Sequence, residues 1–248
     1  MGTDHIDHLA ATVEQTAAFT AAVSTPDALR RRVPSCPEWT VADLVAHLGE
    51  VQTWWEHAVR GAGAIPDEDA VAEQAKPGPD LLAWWRERSE SFLAALRETP
   101  PDALSWCWWS EDKLATAAEV ADRQAHEALI HRWDAENALG ATTPFTPALA
   151  ADGVREFLQR CMWGKPWAGP EGLVRLRATD TGDEWDIALA APQPRRVPVY
   201  REVPASVVVS GTAEQLDLLL WRRVPVDELT VDGEVGVVDS LVSWTGLD

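Results

Sequence analysis

The sequence predicts an α+β protein in two parts: a four-helix bundle over residues 1–142, then a smaller α+β domain over 143–248. Three observations predict it. The first half carries four long stretches with apolar residues at helical spacing and no strand-like alternation between them. The composition then shifts at the linker-like run Ala141-Thr142-Thr143-Pro144-Phe145-Thr146-Pro147. Beyond it, short strand-like runs alternate with capped helical segments.

The first helix is expected from about Ile6 to Val23, where Leu9, Val13, Ala17 and Ala21 recur at helical spacing ahead of Pro26. The second starts at Thr40, a good N-cap with Asp43 three residues on, and runs to about Arg60 before Gly61 and Gly63. Residues 62–79 hold Gly, Pro and acids and read as a loop. The acidic run Asp67-Glu68-Asp69 with Glu73 has no neighbouring His and fits no EF-hand register, so it reads as solvated. Asp80 caps a third helix, Leu81 to about Glu98, stopped by Pro100-Pro101. The fourth runs from about Thr116 to Ala138, closed by Gly140.

In the second part, a short helix is expected over about 148–162. A hairpin follows, Leu173–Arg177 and Glu184–Leu189 around Asp180-Thr181-Gly182-Asp183. A strand at Ser206–Val209 feeds the capping box Thr212-x-x-Gln215, and the helix it opens ends near Arg223. Leu229–Val231 and Val235–Val237 read as last strands before a short terminal helix.

The chain holds 40 acidic and 21 basic residues, a formal charge of −19. A polyanion or an anionic membrane surface is repelled by that charge, so neither nucleic acid nor membrane is an expected partner. No apolar run approaches the ~18 residues that span a bilayer. Met1–Asp7 has neither the basic nor the apolar region of a secretory signal. Cys36, Cys107 and Cys161 make no Cys-x-x-Cys and leave one odd, which suits a reduced cytoplasm. The chain is expected to act as a monomer on small molecules. No nucleophile elbow, Walker loop or dinucleotide fingerprint occurs.

The six histidines carry the chemistry. His5 and His8, at the start of the first helix, read as solvated, and His57 as peripheral. His126 and His131 are five apart, which turns one ring about 140° from the other and excludes the zincin pattern. Glu127 and His131, four apart, share a helix face and can chelate one cation; His47 on the second helix is the candidate third ligand. Two His and a carboxylate suit catalytic zinc and also non-haem Fe(II). The alternative, an exposed Glu127–His131 pair with His47 as a hydrogen-bonded core residue, stays open on spacing alone.

The segment from Val33 to Gly49, with Pro34-Ser35-Cys36-Pro37-Glu38-Trp39-Thr40 and Ala46-His47-Leu48, resembles the opening motif of the mycothiol-dependent maleylpyruvate isomerase family. His126-Glu127 through His131-Arg132-Trp133-Asp134-Ala135-Glu136 resembles its second motif. Ser210–Leu216, Leu220–Pro225 and Val231-Asp232-Gly233 are similar to its C-terminal domain. The resemblance implies a DinB-like metal-binding bundle, a sterol-carrier-like second domain, and metal ligation by His47, Glu127 and His131. It implies a functional arginine at Arg223, beside Arg222 where a small residue is common, and a weaker second one at Arg86.

The resemblance also implies mycothiol as cofactor or cosubstrate. Zinc is the favoured divalent metal, since it suits a thiolate in softness. On a maleylpyruvate-like substrate the thiolate would add to the electron-poor double bond, allow rotation and leave; a retained adduct would make the chain an S-transferase. The non-enzymatic alternative is a metal-stabilised bundle joined to a ligand-binding carrier domain. The paired tryptophans Trp54-Trp55, Trp84-Trp85 and Trp108-Trp109 read as core packing or as an aromatic substrate wall.

Overall fold

In the computed structural model, which describes residues 6–246, each long helix of the first unit starts on an oxygen that the sequence supplies. Asp7 accepts from Ala10 N at 2.9 Å and opens α1, His8–Val23. Thr40 and Asp43 form a reciprocal capping box at the head of α2, Val41–Arg60. Asp80 accepts from Ala83 N at 3.0 Å ahead of α4, Leu81–Glu98, and Thr116 with Glu119 caps α5, Ala117–Leu139. Gly140 ends α5 at φ 85°, where a side chain would be strained.

Two expectations are corrected between these helices. Residues 62–79 are not all loop: Asp67 accepts from Asp69 N and Ala70 N and opens α3, Glu68–Ala75, which buries Val71 and Ala75. Asp67, Glu68, Asp69 and Glu73 are exposed, as expected, but Asp67 caps this helix and Glu68 and Asp69 stand in its first turn, where the helix dipole favours them. Strands also occur: β1 (Arg32–Val33) pairs with β2 (Cys36–Thr40), and β3 (Leu104–Trp106) with β4 (Leu114–Thr116), both antiparallel. Such short runs show no alternation. Their role is local, because β2 and β4 each end on the threonine that caps the next helix.

Apolar clusters give the helix directions. At one end Phe19 and Val23 of α1 meet Val41–Leu48 of α2, Trp84 and Trp85 of α4, and Ala135 and Ala138 of α5. At the other, Leu9 and Val13 pack with Val59, Leu96 and Val120. So α1 and α5 run one way, α2 and α4 the other, and the segment holding α3 carries the chain back between α2 and α4. The tryptophans mostly pack. Trp85 is fully buried with Nε1 on Thr20 Oγ1 at 2.8 Å, and Trp55 lies 5.3 Å from Trp109 between ring centroids.

Residues 144–246 form the second unit. Its sheet has five strands: β5 (Gly172–Ala178), β6 (Glu184–Leu189), β7 (Arg195–Val197), β8 (Val207–Gly211) and β9 (Thr230–Asp232), in the order β7-β6-β5-β8-β9. Only β5 and β8 pair in parallel. Arg175 faces Asp186 across β5 and β6 in a buried two-bond ion pair of 2.7 and 2.8 Å. The helices are α6 (Pro147–Arg160), α7 (Ala213–Leu220) and α8 (Val235–Trp244).

Val235–Val237 begins α8 rather than a strand, because Val238 and Leu241 continue the run at helical spacing and are buried. Helix α7 stops at Leu220, short of Arg223, and Arg222 follows at φ 60°. That left-handed backbone accounts for a position where a small residue is at home. Arg222 holds it by donating Nε to Val242 O at 2.9 Å. Among the described residues no helix is long and apolar enough to cross a membrane.

Candidate metal centre

Helix α5 supplies two of the three groups. Glu127 and His131 stand one turn apart, with His131 Nε2 3.2 Å from Glu127 Oε1. Thr40 fixes where α2 begins, and His47, about two turns in, brings its Nε2 to 3.6 Å from the same oxygen. The His47 and His131 rings meet edge to face at 5.2 Å. The donor atoms of all three lie within 4.8 Å of one another. A tetrahedral cation with bonds of about 2.0–2.1 Å requires donors about 3.3–3.4 Å apart, between the two N···O separations. The trio therefore fits a divalent cation, and its two-nitrogen, one-oxygen donor set suits zinc or non-haem iron. Glu127 and His131 are not an exposed pair: their side chains keep 10% exposure each, against 34% for His47. The cluster opens to solvent on the His47 side.

The surroundings hold these groups in place. His131 Nδ1 lies 3.0 Å from Oδ2 of fully buried Asp134, and Ser35, between β1 and β2, donates Oγ to Asp134 Oδ1 at 2.5 Å. Trp39 lays its ring 4.9 Å from that of His47. Arg123, a turn before Glu127, donates Nη2 to the carboxylate oxygen that faces away from the histidines. Burial pushes the Glu127 carboxyl up, yet Arg123 and the neighbouring His131 and His47 imidazoles outweigh it and hold the group well below the usual carboxylate range. Burial likewise opposes an imidazolium at His131, but Asp134 and Glu127 raise its pKa.

The sequence alone assigns no role to Asp134, Arg123, Ser35 or Trp39. The signal for two of them was helical spacing: Asp134 is three residues after His131, and Arg123 four before Glu127. The two arginines occupy other surroundings. Arg86 is exposed on α4 and donates Nη2 to Ser24 Oγ at 3.0 Å. Arg223, half-buried in the second unit, donates Nη1 to Trp221 O at 2.7 Å beside a cavity of about 740 Å³. His8 is corrected from solvated to half-buried, because the first turn of α1 packs on α5 and sets its Nε2 3.3 Å from Asp122 Oδ1. His5 lies outside the described residues.

A helical bundle gathering two imidazoles and a carboxylate that could hold a cation, followed by an α+β unit, defines the class of the chain: a two-part α+β protein with its candidate site in the bundle. The chain belongs to the mycothiol maleylpyruvate isomerase family: the family's N-terminal domain matches residues 9–136 and its C-terminal domain residues 148–240. Two crystal structures share the fold, both of the mycothiol-dependent maleylpyruvate isomerase. One, of a histidine-to-alanine mutant, is 18% identical with a TM-score of 0.65; the other is 19% identical with the same score. In each case 94% of this chain aligns with 95% of that one. No curated protein matches the sequence.

Proposed function

We propose that this chain is an enzyme that uses mycothiol on an electron-poor double bond, either isomerising a maleylpyruvate-like compound or transferring the thiol to an electrophile. The observation that carries the reading is the meeting of His47, Glu127 and His131 around one point that opens to solvent. Family membership and the fold shared with the mycothiol-dependent maleylpyruvate isomerase support it.

His47, Glu127 and His131 would hold a divalent metal, zinc before others. When bound, such an ion supplies the positive charge that keeps a thiol deprotonated near neutral pH. The remaining work falls to the chain. Asp134 Oδ2 sits 3.0 Å from His131 Nδ1, where it would accept the proton on that nitrogen and leave Nε2 with its lone pair turned to the cluster. Arg123 keeps Glu127 ionised, and Trp39 packs its ring beside that of His47. Arg223, and secondarily Arg86, would grip a substrate carboxylate through the planar guanidinium fork. A cytoplasmic setting, where thiols stay reduced, suits such an enzyme.

The test is a cobalt-loaded protein titrated with mycothiol, followed by assays against maleylpyruvate and a panel of conjugate acceptors. A thiol-dependent change in the cobalt absorption supports the reading, and the product then separates isomerisation from S-transfer. A cobalt spectrum unmoved by mycothiol would overturn it. So would full metal occupancy in His131→Ala.

A further inference from the structure

Helix α5 repeats its metal-chelating pattern. A carboxylate followed four residues later by a histidine occurs at Glu127–His131 and again, five positions earlier, at Asp122–His126. Five residues turn a helix by about 140°, so the second pair faces a different neighbour. There α1 supplies His8 as α2 supplies His47. Nε2 of His8 is 3.3 Å, and Nε2 of His126 3.6 Å, from the one oxygen Asp122 Oδ1. The separations at the first cluster are 3.2 and 3.6 Å. The two imidazole rings lie 6.3 Å apart at an interplanar angle of 66°, not stacked.

We propose that His8, Asp122 and His126 form a second binding site for a divalent cation, distinct from the His47 cluster. Three observations carry it. The donor atoms lie within 4.8 Å of one another. The N···O separations of 3.3 and 3.6 Å are longer than the usual hydrogen bond; the first equals, and the second lies a few tenths of an ångström above, the donor spacing of about 3.3–3.4 Å around a tetrahedral ion with bonds of about 2.0–2.1 Å. A route in also exists, because His8 borders a cavity of about 440 Å³ lined further by Leu9, Leu96, Pro101 and Ala118.

The two imidazole donors select a borderline ion such as zinc, cobalt or ferrous iron over calcium or magnesium. The site is more closed than the first: the side chains of His126, Asp122 and His8 keep 0%, 8% and 23% exposure. Its role is accordingly structural. It ties the first turn of α1 to the first half of α5.

The test is metal stoichiometry of the full chain, stripped with chelator and dialysed to equilibrium against buffered micromolar zinc. Wild type is expected to hold two equivalents, with one each in Asp122→Asn, His126→Ala and His131→Ala. Asp122→Asn keeps the side-chain shape, and half-exposed His8→Gln is a further variant should His126→Ala fail to fold. A wild type with one equivalent, retained in Asp122→Asn and His8→Gln but lost in His131→Ala, overturns the second site and leaves the first standing. One equivalent lost in Asp122→Asn but kept in His131→Ala does the reverse. No bound metal overturns both.

Discussion

Asp134 is fully buried at the back of His131, its Oδ2 3.0 Å from the imidazole Nδ1. A histidine that ligates through Nε2 depends on such a partner for ring orientation and tautomer, and loss of the partner weakens metal binding about 10–100-fold. Asp134→Asn is therefore expected to lower zinc affinity by that factor at the His47 cluster while Ser35 still donates to its remaining oxygen. Competition against a chromophoric chelator measures it. Unchanged affinity would show that Asp134 serves folding alone.

Arg123 and a cation at the His47 cluster do the same job for Glu127, since each supplies positive charge to a buried carboxylate. In the stripped protein Arg123→Met leaves that carboxylate short of a counter-charge and is expected to cost about 3 kcal/mol. In the loaded protein the metal compensates, so the loss shrinks. By linkage, the variant must bind zinc more tightly than wild type. Denaturant titrations with and without zinc check both halves, and equal losses in the two states would refute the account.

The bundle was legible because its signals are chemically local. Thr40 with Asp43, Thr116 with Glu119, and Asp80 announce helix starts within four residues, and Gly140 marks an end. The Glu127–His131 pair was legible by the same short-range geometry. What escaped depends on contacts across the chain. His8 looks solvated until α1 is laid on Asp122, and Ser35 means nothing until the turn between β1 and β2 reaches Asp134. Helix α3 escaped because acids in a short first turn share their composition with a loop.

The Thr40–Asp43 box sets the register of α2 and hence the height of His47. The Asp43 carboxyl accepts from Thr40 Oγ1 and from Thr40 N, both at 2.7 Å, and these bonds hold it below its ordinary value. A carboxyl depressed in the folded state stabilises above its unfolded pKa of about 3.9, and that contribution is lost as pH falls through the lower folded value. Thr40→Ala is expected to cost about 1 kcal/mol at neutral pH. The gap from wild type should narrow on acidification below about pH 4. Parallel denaturation curves at pH 7 and pH 3 read the difference, and a gap independent of pH would remove Asp43 from the explanation.

Gly49, two residues after His47, lies in the middle of α2, where alanine would ordinarily stabilise a helix by up to about 1 kcal/mol. Here the sign is expected to reverse. A Cβ at this position would come within 2.3 Å of Trp84 Cη2 and 2.5 Å of Cζ3. The indole is rigid, 8% exposed and fixed by its Nε1 bond to Gln74 O at 3.1 Å, so it cannot swing clear as a flexible chain end would. Overpacking of this kind costs about 1–3 kcal/mol, which exceeds the propensity gain. Gly49→Ala should therefore lower the thermal midpoint by a few degrees, about 2–4 °C per kcal/mol for a chain of this size. The cause is separable by a second substitution: Trp84→Leu makes room, so Gly49→Ala in that background should be neutral or stabilising. If Gly49→Ala is equally harmful with Leu at 84, close approach of α4 is not what requires glycine there.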